Sequence, residues 1–536
     1  MKVFITTAGV GSKLGDLTKY MNKAMIKIGK KPVISYIIEQ YPDDYEFVIG
    51  LGYKGDHIKQ FLQIAYPNRK FIFVTVDNYE YEGSSQIYSM WCCKDYLQEP
   101  FIYNDCDSIC DNINSALAFK EDWIGGTHYD NPYGTINYDS YDISYNYKVT
   151  NMYHRATNAN AKYVYVGICG IYDYKYFWES VSDALNYVYK TDFDIFYNYY
   201  LNTNNHYLKH KDIINWTDTG TIDGVIKARK ECKDKLDILD KNNQAIFIIN
   251  DKVIKFFADD ETANNISIRL QQLYPLSHKI DTLTQNFLSY DYIKGDVAIN
   301  SINPMLFRQM MHNFEKDGLW DIVINDDNFK LNQKKFYIDK TIKRVNEFKR
   351  KYDVSEDEDI IVNNIVIPKE YTIERMLEML QDLNEYKNSE ATKWHGDFTL
   401  ENMIYNKEEN KWTLIDCRDK FGDTIKYGDR LYDFGKINHN LTFNFASAIK
   451  GNYRLEINNN EINLSMMCDV ETYKCREVLK SFVELDNIRY DYIELLSGLN
   501  WVNMSPLHPI NDLPYLLFYM GKLQMYEAIM KLTNKS

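Results

Sequence analysis

No run of 18 or more apolar residues occurs in the chain, and its opening, MKVFITTAGVGS, goes straight into a strand-and-glycine pattern with no leader-like segment. Neither a membrane-spanning helix nor a secretory address is therefore expected, and the chain reads as cytoplasmic. Regular cysteine spacing is missing too. Nine cysteines are scattered, and the adjacent pair Cys92 and Cys93 lacks a C-x-x-C metal pattern, which suits reduced thiols rather than a disulfide framework. There is no basic excess: 62 Lys and Arg against 76 Asp and Glu leave a net charge of −14. Nucleic-acid binding needs a basic footprint, so the expected partners are small molecules, with no nucleic acid and no membrane. Any cation that meets a phosphate must be a local feature, and homo-oligomerisation stays open.

At 536 residues the chain is too long for one core, and its 45% hydrophobic and 26% charged fractions are those of ordinary globular domains. The charged stretch RKECKDKLDILD, Arg229 to Asp240, marks a boundary. The expected domains are 1–230, a linker at 231–240, then 241–298 and 299–536. In the first, strands at Val3–Thr7, Phe47–Gly50 and Lys70–Thr75, with an amphipathic helix near Asp56–Ala65, predict an α/β fold on a mainly parallel sheet. Beyond the boundary, Asn242–Phe257 reads as two strands around an Asn-Asp turn. From about residue 300 the periodicity is mostly helical, as at Ile373–Leu383.

Within 394–418, WHGDFTLENMIYNKEENKWTLIDCR, Asp397 is followed by Asn402 after five positions and by Asp416 after fourteen more. Phosphoryl transfer from ATP requires a carboxylate to accept the attacking hydroxyl's proton and oxygen ligands that hold magnesium against the phosphates. D-x-x-x-x-N followed by an Asp at the end of a strand, here Trp412–Ile415, is that arrangement. With Gly396 in place of the arginine of H-R-D, HGDFTLEN resembles the aminoglycoside phosphotransferase and choline kinase family. The continuation LIDCRDKFGDTIKYGDRLYDFGKINHN is similar to small-molecule kinases found with bacterial surface-polysaccharide genes.

That resemblance implies a two-lobed, protein-kinase-like fold, with Asp397 as catalytic base, Asn402 and Asp416 as Mg²⁺ ligands, and ATP as donor. It implies that His395 orients the loop, while Asp429, a residue type that favours the N-cap, reads as the cap of the helix carrying Tyr432, Asp433 and Lys436. Lys255 is either the lysine of the ATP phosphates or a solvated strand lysine, with no clear glutamate partner. The backbone of Asp291 to Ile293 would meet adenine. Trp501, Asn503 and His508 either line an acceptor pocket or simply pack.

At the other end, a strand feeds Ala8-Gly9-Val10-Gly11-Ser12-Lys13-Leu14, where glycines let backbone N–H groups approach phosphate oxygens. Leu17-Thr18, Asn22-Lys23-Ala24-Met25 and Gly29-Lys30-Lys31-Pro32-Val33-Ile34 follow. The stretch resembles the sugar-1-phosphate and phosphocholine nucleotidyltransferases, whose signature has Arg where Lys13 stands and Pro where Asn22 stands. The resemblance implies a GT-A-like, Rossmann-like domain. Ala8, Gly9, Gly11 and Ser12 would lie at the nucleotide, Lys13 and Lys23 would be catalytic, and Asp107 and Asp218 would be Mg²⁺ ligands in IYNDCD and WTDTGT. Gly83, Ser84, Ser85 and Gln86 either read the base or, for the serines, start a helix. Asp107 also reads as an Asx turn and Asp218 as a helix N-cap.

Together these readings predict a bifunctional kinase and nucleotidyltransferase. It would phosphorylate a small alcohol or sugar with ATP, then join the phosphate to a nucleotide from CTP or UTP, as a precursor for surface glycans. Three alternatives stay open. One is a choline kinase with a phosphocholine cytidylyltransferase. Another is a glycosyltransferase, with Asp105-Cys106-Asp107 as its D-x-D, fused to a kinase. The third is a non-catalytic nucleotide-binding regulator.

Overall fold

The computed structural model describes residues 1–81, 84–111, 113–128, 137–155, 161–187, 190–201, 206–234, 243–323 and 328–533. They form two compact units: Met1–Ala263 with Asp281–Tyr292, and Asn264–Ile280 with Ile293–Ser536. Among them, no helix is long and apolar enough to cross a membrane.

The strand Lys2–Thr6 is apolar on both faces, as a strand covered by helices on each side must be. Val3 and Ile5 enter one hydrophobic cluster and Phe4 the other. Lys70–Thr75, Glu46–Leu51, Lys2–Thr6 and Phe101–Asp105 lie side by side in parallel. In chain order this is third, second, first, fourth, the Rossmann-like reversal that opens a ligand crevice at the carboxyl ends of the strands. The register pairs Thr6 with both Gly50 and Asp105, so the loop after Thr6 and the Asp105-Cys106-Asp107 turn leave the sheet at one edge.

The sheet is mixed rather than mainly parallel. Tyr163–Ile171 runs antiparallel to Phe101–Asp105, Trp123–His128 and Ser140–Ile143. A parallel neighbour needs a crossover connection, usually a helix, and no described helix stands between Trp123 and Ile171.

Gln244–Ile249 and Lys252–Phe257 form a hairpin whose Asn250 and Asp251 both have positive φ, 49° and 59°, the requirement of a type I′ turn. Phe287–Asp291 pairs along its other side. This small sheet packs on the helix Gly55–Ala65 of the first unit. The Phe61 ring lies 5.3 Å from Phe247 and 6.1 Å from Phe287, and His57 lies 4.9 Å from Phe256.

The second unit is mainly helical. Its central helix, Arg430–Thr442, is buried along almost its whole length and packs on Tyr490–Met504. That helix meets Leu513–Thr533 at Gly498 and Gly521; a Cβ on either would lie 2.9 or 2.7 Å from the other's carbonyl oxygen, so neither position tolerates a side chain. A short sheet of Asp296–Val297, Met403–Asn406 and Lys411–Leu414 delivers the 394–418 loop.

His57 supplies a test of the sheet-on-helix packing. Its Nδ1 is buried without a hydrogen-bond partner among the described residues, and burial, then Lys54, pushes its pKa down to about 4. The unfolded chain therefore binds a proton between pH 6.5 and 4 that the folded chain does not. Stability is full above pH 6.5 and declines as the pH falls, by at most about 3 kcal/mol. Denaturant titrations at pH 7 and 5 are expected to show a smaller loss in His57→Leu than in wild type.

Candidate active sites

The first site starts from the loop after Lys2–Thr6. Thr7 N–H and Oγ1 both donate to Gly50 O at 2.9 Å, and Tyr53 N–H donates to Ala8 O at 2.9 Å, which fixes Ala8 against the neighbouring strand end. Gly9 has nothing within 4 Å of where a Cβ would stand, so its backbone faces open space. Gly11 adopts φ 72°, and its missing Cβ would press on Thr18 and on Lys23 Cβ at 3.1 and 3.2 Å. Asn22, fully buried, donates through Nδ2 to Thr7 O at 2.8 Å and Tyr53 O at 2.6 Å, and its Oδ1 caps the 3₁₀ turn Lys23–Met25. Its φ of −66° is one that proline adopts, but proline would leave both carbonyls without this donor.

The turn aims Lys23 at Asp107, with Nζ 2.6 Å from Oδ2. Burial disfavours the ammonium form, yet Asp107 more than reverses this and lifts Lys23 above the ordinary lysine range. Asp218 arrives from 111 residues away. Thr217–Asp218 pairs antiparallel with Ser108–Ile109, and Thr219 donates to Asp107 O through N–H at 2.8 Å and Oγ1 at 2.9 Å. A Cβ on Gly220 would sit 2.8 Å from Asp107 Oδ2 and 3.0 Å from Asp218 Oδ1, so the two carboxylates converge over this glycine. Burial, then Asp107, pushes the Asp218 carboxyl up. The cap of the following helix is Thr221, whose Oγ1 accepts from Gly224 N–H at 3.2 Å, and not Asp218.

Ala8, Gly9, Lys23, Ser84, Ser85 and Asp107 line one cleft of about 310 Å³, together with Tyr79 and Gln86. Ser85 caps the helix Gln86–Cys93 by accepting from Tyr88 N–H at 3.0 Å, and Ser84 Oγ donates to Tyr79 O. Ser12 and Lys13 are exposed on the 3₁₀ segment beyond Gly11 and do not line the cleft. Gly83 lies outside the described residues.

Asp105 lines this cleft as well, and behind it lies the buried Asp192, a pairing that sequence reading did not find. Asp105 hydrogen-bonds Tyr103, and Gln86 Nε2 donates to Asp105 Oδ1 at 3.1 Å while Gln86 Oε1 accepts from Asp192 N–H. Burial, then Asp107 and Asp192, pushes the Asp105 carboxyl well up, and burial pushes Asp192 up to about 7. Asp105 and Asp107 thus share the cleft but have different partners, Tyr103 and Gln86 for Asp105 and Lys23 for Asp107.

The second site is built on Gly396, at φ 85°, where a Cβ would strike Arg418 at 2.6 Å and Trp394 at 2.8 Å. Asp433, from the central helix, accepts the N–H groups of His395 and Gly396 at 2.7 Å each. His395 Nδ1 accepts Asp397 N–H at 3.3 Å, so Nε2 carries the proton and donates to Ile415 O at 2.9 Å. Burial drives this imidazole's pKa down to about 4, which keeps it neutral.

Held by that loop, Asp397 meets Lys436 Nζ at 2.8 Å and Asn402 Nδ2 at 2.9 Å. Burial would raise its carboxyl, but Lys436 and Arg418 hold it well below the usual range. Ile415 N–H donates to Asn402 O, tying the strand end beside Asn402, and Asp416 follows at φ 56°. Asp429 caps the central helix through Leu431 N–H at 2.9 Å.

Lys255 is buried on its strand, with Nζ 5.4 Å from the Tyr290 ring. It and Asp291 belong to the first unit, and Ile293 to the second. Trp501 packs against His439 at 4.6 Å, and Asn503 donates to Thr341 Oγ1 at 2.8 Å; both are buried.

No family model matches the chain. It is 27% identical over 131 residues to the choline-phosphate cytidylyltransferase of Streptococcus pneumoniae, and 30% identical over 99 residues to the CTP:phosphoglutamine cytidylyltransferase of Campylobacter jejuni. These alignments cover 24% and 18% of this chain. The N-terminal part of the chain is homologous to nucleotidyltransferases. The chain spans only about half the length of the first relative, 52%, and 37% of the second. Among solved structures, the inositol-1-phosphate CTP transferase of T. maritima overlaps 43% of this chain and 96% of its own at 14% identity, with a TM-score of 0.34.

Gly220→Ala is the expected way to disable the first site without touching a ligand. Its methyl group would force the Asp107 and Asp218 carboxylates apart. Calorimetric titration with Mn²⁺ in the presence of CTP is expected to show at least tenfold weaker metal binding, with thermal unfolding of the variant otherwise close to wild type.

Proposed function

We propose that the chain is a bifunctional transferase, in which the second unit phosphorylates a small hydroxyl compound with ATP and the first joins the resulting phosphate to a nucleotide. The observation that carries the nucleotidyl step is the meeting of Lys23 and Asp107 in one cleft beside the Ala8-Gly9 loop, with Asp218 brought to Asp107 over Gly220. In that step an oxygen of the phosphate monoester attacks the α-phosphorus of the nucleotide, the α–β bridge breaks, and pyrophosphate leaves. Lys23 stays charged and places a fixed positive group where negative charge builds. CTP is favoured over UTP because the two curated relatives described above are named for cytidylyl transfer.

For the phosphoryl step, Asp397 is kept ionised by Lys436 and Arg418, as a base must be to accept the hydroxyl proton while that oxygen bonds the γ-phosphorus and ADP leaves. Asn402 spends its amide nitrogen on Asp397, and its side-chain oxygen has no partner among the described residues. Ile293 is proposed at the nucleotide of this step, and Ser12 and Lys13 near the phosphates of the other; Lys255 and Asp291 fall in the first unit.

Bound magnesium would supply charge neutralisation at the phosphates. The donor sets suit it, since an ion that keeps several waters needs only one or two carboxylates: Asp107 with Asp218, and Asn402 with Asp416. Asp105 and Asp107 line the same cleft, but Asp105 is bonded to Tyr103 and Gln86 while Asp107 pairs with Lys23 and meets Asp218 over Gly220, which favours Asp218 over Asp105 as the partner of Asp107.

The test incubates wild type, Asp107→Ala and Asp397→Ala with Mg²⁺, ATP, CTP or UTP and a pool of alcohols and sugars, followed by mass spectrometry. Asp107→Ala is expected to stop at the phosphate monoester without pyrophosphate. Asp397→Ala is expected to lose phosphorylation by about 10² to 10⁴-fold, the usual worth of a positioned base, and to form the nucleotide adduct only from pre-phosphorylated substrate. Release of a nucleoside diphosphate with a glycosidic product would overturn the nucleotidyl step in favour of glycosyl transfer.

A further inference from the structure

Four cations, Lys340, Arg344, Arg418 and Lys436, form one cluster in a chain whose overall charge is −14, and two of them, Lys436 and Arg418, act on Asp397. Lys340 and Arg344 stand one turn apart on the helix Lys340–Tyr352, so they share a face. Lys340 Nζ lies 3.4 Å from the Phe336 ring centroid and 5.4 Å from that of Tyr432. Arg418 lies over the same two rings, at 5.4 and 5.8 Å. Lys436, one turn beyond Tyr432, completes the group at Asp397.

Three of these cations are satisfied by the protein. Lys436 bonds Asp397, Arg418 Nε donates to Gly396 O at 3.0 Å, and Arg344 donates to Asn503 O at 3.2 Å. Lys340 is different. Among the described residues no carboxylate or carbonyl bonds its ammonium, and the charges nearest to it are Arg418, Arg344 and Lys436. Burial, then these three neighbours, holds its pKa well below the ordinary lysine range. A half-buried ammonium that faces only aromatic rings and other cations is unfavourable until an anion joins it.

We propose that the phosphoryl acceptor carries an oxyanion, a carboxylate or a phosphate, and that Lys340, with Arg344 and Arg418, holds it so that the acceptor's hydroxyl reaches Asp397. This rests on the phosphotransferase reading of the second unit and deepens it by naming the substrate's class. It runs against a quaternary ammonium acceptor such as choline, which this cluster would repel.

The test uses the full chain and calorimetric titration with malonate, inorganic phosphate, choline and MgADP. Malonate or phosphate is expected to bind wild type, at least tenfold more weakly to Lys340→Met and within threefold in Lys340→Arg; which anion binds tighter distinguishes a carboxylate acceptor from a phosphate one. MgADP affinity is expected to fall less than threefold in Lys340→Met. Protection of Lys340 from reductive methylation by the same anion, read by mass spectrometry on wild type, answers the question without a variant. Choline binding tighter than either anion, anion binding indifferent to Lys340, or parallel loss of MgADP would overturn the proposal, the last by assigning the cations to the nucleotide phosphates. Failure of MgADP to bind wild type would instead overturn the phosphotransferase reading on which it rests.

Discussion

Two carboxylates that repel each other are held together over one glycine, and the first unit is arranged around that constraint. Asp107 leaves the end of a central strand, and Asp218 is brought back to it by a two-residue ladder and by Thr219's paired bonds to Asp107 O. Glycine at 220 leaves the space between them. Lys23 balances the charge, and it can do so only because Asn22 fixes its turn to the ends of two parallel strands. The sheet order matters for the same reason: the reversal beside Lys2–Thr6 is what opens a crevice where loop, lysine and carboxylates meet.

The second unit solves a related problem with opposite balance. One carboxylate, Asp397, is held ionised by Lys436 and Arg418, and the loop that presents it is pinned from behind by Asp433, buried and raised to about 6 by that burial. Arg269, also buried, donates to Trp394 O and Arg418 O and holds the two sides of the loop together. Both sites thus place a lysine on a carboxylate, but one gathers acids for a cation and the other gathers cations around an acid. That difference fits the proposed division of labour, a metal-assisted nucleotidyl step and an acceptor held by its charge.

Much of this was legible in the sequence where chemistry sits close along the chain. The strand at the N-terminus, the Asn-Asp hairpin turn, the helix after Thr372 and the cap at Asp429 follow from local patterns that packing does not override. Asp107 and Asp218 were found by motif, and the geometry brings them together. The antiparallel half of the sheet was not legible, because alternating strands do not announce their partners. Nor were Asp105 and Asp192 as a buried pair, since Gln86 joins them across 87 residues of sequence. Lys340 and Arg344 had a visible signal, their i, i+4 spacing, but on an exposed-looking charged helix that spacing reads as solvent-facing until Phe336 and Tyr432 are seen beneath it.

The central claim is that both phosphoryl groups end in one product, and isotopic labelling tests it most directly. Parallel reactions would carry γ-³²P-ATP with unlabelled CTP, or α-³²P-CTP with unlabelled ATP, over the same acceptor pool. The account predicts one product that takes label from both, the ATP label on the phosphate attached to the acceptor and the CTP label on the neighbouring phosphate. Two separate labelled products, or ATP label recovered only as inorganic phosphate, would contradict it.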